Sequence, residues 1–105
     1  MHLDIAKKRS ELTALCRRYD VARLEVFGSA ARGGDFDPKR SDADFLVEFK
    51  PDSRMPPLEQ FFGLADALEQ LLGRPVDLVE RKALEQSRNY IRRRNILADA
   101  QTVYG

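Results

Sequence analysis

The chain has one cysteine, Cys16, and one histidine, His2, in 105 residues. A single thiol makes no internal disulfide, and without a second cysteine it builds no zinc site. With the one imidazole at the N-terminus, no Ser/His/Asp or Cys/His arrangement can be assembled for nucleophilic catalysis. An excess of charge of one sign is also missing, because 18 Lys and Arg against 17 Asp and Glu leave a formal net charge of +1. No global field then draws the chain to nucleic acid or a membrane surface, so any anion it binds must be held by local groups. No apolar run approaches the roughly 20 residues of a membrane-spanning helix, and the charged N-terminus lacks a signal-peptide apolar stretch. The expectation is a cytoplasmic protein. What is present, 43% hydrophobic and 33% charged residues, suits a globular chain, and the length suits one domain over 1–105 with one modest core.

In chain order, Ile5, Leu12, Leu15, Cys16 and Tyr19 recur at mostly helical spacing, which predicts an amphipathic helix from Leu3 to Tyr19. On that stripe Cys16 reads as a small buried hydrophobe rather than a reactive thiol. Arg23 to Phe27 is rich in strand formers and stops at Gly28, which predicts a first strand. Ala43 to Phe49 alternates, with Phe45, Val47 and Phe49 on one face and Asp44, Leu46 and Glu48 on the other. Leu58 to Leu72 carries Phe61, Phe62, Ala65, Leu68 and Leu71 at three- and four-residue steps, predicting a second helix stopped by Gly73 and Pro75, with the aromatic pair in the core. Val76 to Val79 reads as a short third strand. A third helix from Ser87 to about Ala100 would use Ile91, Ile96, Leu97 and Ala100 as apolar contacts. Its Arg88, Arg92, Arg93 and Arg94 read first as a solvated face, and second as a surface for a partner or a nucleotide tail. Gln101 to Gly105 fits either a terminal strand or a fraying tail.

The chemistry concentrates between Val26 and Phe49. Ser29 resembles a helix N-cap for a short turn through Arg32 closed by Gly33-Gly34, and a strand feeding a helix start presents backbone N–H groups that suit phosphate. Asp42 and Asp44 point to the same side of a strand, so two carboxylates meet at one place and call for a cation between them. The loop Asp35 to Arg40 does not fit a calcium loop, lacking its glycine and terminal glutamate. It is too short for a parallel crossover, so the first two strands should pair antiparallel, setting Gly28-Ser29 beside Asp42 and Asp44. The helix before Val76 has the length of a parallel return beside the second strand, which would set Asp77 next to Asp44. An aspartate inside a short buried strand is costly unless paired or metal-bound. That Asp77 simply caps or edges the sheet, or pairs with Arg74 or Arg81, is the plain structural alternative.

Gly28-Ser29, then Asp42-Ala43-Asp44, then Asp77, resembles the signature of the DNA polymerase beta-like nucleotidyltransferase superfamily. The fuller string GSAARG…SDADFLVEF is similar to the minimal nucleotidyltransferase group, the MntA-type antitoxins found with HEPN-type toxins. The resemblance implies an α/β (α+β) fold, a small mixed sheet with helices mainly on one face. It implies that Gly28 and Ser29 hold the nucleotide phosphates with Arg32 adding charge, that Asp42, Asp44 and Asp77 ligate two Mg²⁺ ions, and that Asp77 helps deprotonate an acceptor hydroxyl. The activity it implies is transfer of AMP from ATP to a HEPN-type toxin protein, with no direct nucleic-acid partner. Neutralisation by stoichiometric binding, without catalysis, is the alternative.

Overall fold

The computed structural model describes residues 3–28 and 43–105. Four strands, β1 (Val21–Phe27), β2 (Ala43–Phe49), β3 (Val76–Glu80) and β4 (Gln101–Tyr104), form one sheet in the order β3-β2-β1-β4. β1 and β2 pair antiparallel, with Val26 opposite Phe45 and Phe27 opposite Asp44. β2 and β3 pair parallel, with Asp44 opposite Asp77. Both pairings follow from connection length, since a parallel neighbour needs the helical crossover that residues 50–75 supply.

Strand alternation gives the sheet two unequal faces. On one, Leu24, Val26, Phe45, Val47 and Leu78 form the main core with Ile5 of α1 (Leu3–Lys7), Leu12 and Cys16 of α2 (Arg9–Arg18), and Leu64 and Leu68 of α3 (Pro57–Leu72). On the other, Phe27 and Leu46 meet Leu84 of α4 (Arg81–Glu85) and Ile96 of α5 (Tyr90–Asp99), with Val79 and Ala100 at the margin. This is the expected mixed sheet with helices mainly on one face. The second face is only partly roofed, and its open part is where the acids lie.

Helix ends explain the connections. Pro57 starts α3 where a missing N–H is harmless, and Gly73 ends it in the left-handed region, its N–H donating to the Glu69 carbonyl at 2.8 Å. Several expectations change. The first helix is broken at Lys8, whose N–H donates to the Ile5 carbonyl at 3.2 Å and whose Nζ donates to the Leu71 carbonyl at 2.9 Å. Phe61 packs on the core, but Phe62 is 63% exposed although the rings meet edge to face with centroids 5.3 Å apart. The expected third helix is α5 preceded by the short α4, and of its apolar residues Ile96 is buried while Ile91 is 68% exposed. Residues Gln101–Tyr104 form a strand, paired antiparallel with β1.

Candidate active site

β1 delivers the chain to Gly28, whose φ of 67° is left-handed. A Cβ there would stand 2.7 Å from Asp44 Oδ2, so the carboxylate packs directly against the glycine backbone. The conformation favours glycine, and a side chain there would displace the Asp44 carboxylate. Asp44 itself is half-buried at the start of β2. Asp77, its register partner on β3, sits one strand spacing away, about 4.8 Å. By alternation Asp44 shares a face with Leu46, and Asp77 with Val79, so both carboxylates lie on the partly roofed face just beyond its small core.

The structure corrects one premise about Asp77. It is exposed, because β3 is an outer strand of the sheet and α4 reaches only to the far end of it. The cost of burying an aspartate is therefore no argument for its role; the register with Asp44 is. Nor does Arg81 serve as its partner. That guanidinium pairs with Glu25, and its Nε lies 3.2 Å from Glu85 Oε1. Glu25 is a buried carboxylate that sequence reasoning missed. At 4% exposed, it is held by Arg81 and by Arg23 at 3.3 Å, and ties the start of α4 to the sheet. A charge at an inward position of β1 was the available signal.

An open groove of about 540 Å³ runs past the acids, lined on the sheet side by Phe27, Asp44 and Asp77, and on the helix side by Asn89, Ile91, Arg92, Asn95 and Ile96. Its size lies within the range of small-ligand sites. Asn89 caps α5, its side chain accepting from the Arg92 N–H at 3.0 Å, and this sets the first turn of the helix over the carboxylates. Asn89 and Asn95 were not foreseen, since polar residues on a helix expected to be solvated carry no periodic signal. A smaller cavity of about 230 Å³, lined by Phe49, Lys50, Ser53, Gln60 and Lys82 among others, lies at the opposite end of β2 and β3. There Ser53 donates to Asp20 Oδ2 at 2.8 Å and Gln60 Nε2 to the Tyr19 carbonyl at 2.8 Å, a network that anchors the 50–57 connection. Cys16 stands apart from either site, and burial pushes its thiol up to about 12, as suits an inert core residue.

Of the residues expected at the site, the structure brings Gly28, Asp44 and Asp77 together. Ser29, Arg32 and Asp42 lie outside the described residues. Among the described residues no group of three metal-binding side chains forms. Two carboxylates in register on adjacent strands, one of them open to solvent, nonetheless supply the hard oxygen donors that Mg²⁺ takes while keeping positions for phosphate and water.

Comparison with known proteins shows the family and the fold. Residues 9–99 match the nucleotidyltransferase domain family. The protein adenylyltransferase MntA of Thermococcus cleftensis is 39% identical over 87 residues, covering 79% of this chain and 83% of that one. A solved structure described as a minimal nucleotidyltransferase aligns with a TM-score of 0.72 at 34% identity, over 96% of this chain and 95% of that one. A chain from the complex of tri-AMPylated Shewanella oneidensis HEPN toxin with MNT antitoxin aligns at 0.62 and 17% identity, covering 96% and 72%. That last likeness is one of fold.

Proposed function

The chain belongs to the nucleotidyltransferase domain family, and from that premise we propose that it transfers AMP from ATP to a hydroxyl of a partner protein, a HEPN-type toxin that the modification neutralises. The observation carrying this reading is the register pair Asp44 and Asp77 beside the left-handed turn at Gly28. The 39% identity to a protein adenylyltransferase supports AMP as the group transferred, and the fold shared with a toxin–antitoxin complex supports the class of partner. The groove is open, as an acceptor presented on another macromolecule requires.

Each residue then has a task. Gly28 and Ser29 would hold the outer phosphates of ATP through backbone N–H groups, and Arg32 would add charge there. Asp42, Asp44 and Asp77 would hold two Mg²⁺ ions; bound magnesium supplies charge compensation at the attacking and leaving oxygens of an in-line displacement. Asp77, which is exposed, would help deprotonate the acceptor hydroxyl. The acceptor oxygen bonds to the α-phosphorus, the bond from that phosphorus to the β-phosphate bridging oxygen breaks, and pyrophosphate leaves.

The test is ATP labelled at the α-phosphate, Mg²⁺ and the HEPN-type toxin protein proposed as partner. Label should appear on the partner, vanish with excess EDTA, and fall at least ~100-fold for Asp77→Asn, as expected on losing a general base. Because Asp77 is exposed, that variant should melt within about 0.5 kcal/mol of the parent. A folded wild-type protein that never labels the partner would refute the transfer, and toxin neutralisation surviving Asp77→Asn would assign the effect to binding alone.

A further inference from the structure

The arginine run of α5 is not one uniform basic face. Arg93 donates from Nη1 to the carbonyls of Glu85 and Ser87, both at 3.2 Å, and so braces the α4–α5 connection. Arg94 reaches back one turn to the Tyr90 hydroxyl at 3.4 Å. Arg92 is the one of the three that lines the groove facing Asp44 and Asp77. Its guanidinium has no ion-pair partner among the described residues. Asn95 lies three positions after Arg92 and four after Ile91, so it neighbours both on the helix surface, and all three line the groove.

Resting on the reading of the groove as a nucleotidyl-transfer site, we propose that Arg92 and Asn95 form the nucleotide-binding wall of that groove, Arg92 holding phosphate and Asn95 selecting adenine. The electrostatic argument is direct. A triphosphate entering beside aspartates meets repulsion from their negative charge, and a cation on the facing wall offsets it. A guanidinium does this with a planar fork that matches two phosphate oxygens at once. The amide of Asn95 presents a donor and an acceptor together. The N6/N7 edge of adenine offers the complementary acceptor and donor, whereas the O6/N7 edge of guanine offers two acceptors. Ile91, exposed on the same face, gives the base an apolar surface to lie against.

The experiment is equilibrium binding of fluorescent ATP and GTP analogues with Mg²⁺ to the intact chain, followed by KM and kcat for partner labelling. Arg92→Gln should weaken both nucleotides at least roughly tenfold, the loss expected for a charge-assisted contact, and Arg92→Lys should recover part of it. Asn95→Ala should erase the preference for ATP over GTP. Arg94→Gln removes the same charge from the same helix and should bind as wild type does. Both Arg92 and Asn95 are exposed, so unchanged circular dichroism is expected throughout. If wild type binds ATP and Arg92→Gln binds it equally well, the proposal is overturned. A raised KM for the acceptor with nucleotide affinity unchanged also overturns it, giving α5 to the partner protein instead. Wild type failing to bind ATP at all defeats the underlying reading of the groove, a result distinct from either.

Discussion

Gly28 and Gly73 hold the same φ of 67° but differ in what a side chain would meet. Beside Gly73 there is nothing within 4 Å, whereas at Gly28 the Asp44 carboxylate is 2.7 Å from a built Cβ. Gly73→Ala should therefore cost only the left-handed backbone penalty, about 1–2 kcal/mol, and leave activity per folded molecule intact. Gly28→Ala carries the same penalty and also pushes the Asp44 carboxylate out of its place beside the turn. Its melting point should fall at least as far and its AMP transfer should largely disappear. Thermal melts read beside partner labelling separate the two effects, and a fully active Gly28→Ala would show that the close approach has no bearing on chemistry. At this scale the pairing of Asp44 with Asp77 was legible, because alternation fixes the face and connection length fixes the neighbour. The exposure of Asp77 was not, since nothing in Val76–Glu80 says that β3 would take an outer place.

Elements with a repeating pattern were legible and those without one were not. β2 is rich in strand formers with Phe45, Val47 and Phe49 at every second place, and α3 repeats through four turns, so both declared themselves. α4 has five residues with one buried apolar side chain, Leu84, too short for any period to register. What holds it is electrostatic: Arg81 joins buried Glu25 on β1 to Glu85 one turn on. Arg81→Met should destabilise the protein by roughly 2 kcal/mol, below the ~3–5 kcal/mol of a fully broken buried pair because Arg23 stays with Glu25. Urea titration measures it. The double variant Glu25→Gln with Arg81→Met should recover part of the loss, since no uncompensated charge then remains inside. A single Arg81→Met as stable as the parent would mean that apolar packing of Leu84 alone seats α4.

Across the whole molecule the site depends on where the chain returns to its own sheet. Residues 101–104 carry too little pattern to decide between strand and tail, and the decision comes from β1, whose far edge would otherwise be bare. Pairing Gln101 with Val26 and Tyr104 with Leu24 covers that edge, buries Val103, and lets Arg9 of α2 donate to the carbonyls of Thr102 at 3.1 Å and Val103 at 3.4 Å. Shortening the chain at Ala100 forfeits the burial of Val103, about 1.5–3 kcal/mol, and several ladder hydrogen bonds at roughly 1 kcal/mol net each. Against a typical domain stability of about 5–15 kcal/mol, the urea midpoint should drop steeply. Nucleotide affinity should drop as well, measured under conditions where the shortened chain is still folded. Ala100 and Ile96 pack with Phe27, so β4 tethers the same helix that walls the groove, and β1 ends at Phe27 on its sheet side. If affinity holds while stability falls, α5 is seated by Ile96 without the strand, and the coupling between sheet closure and the groove is absent.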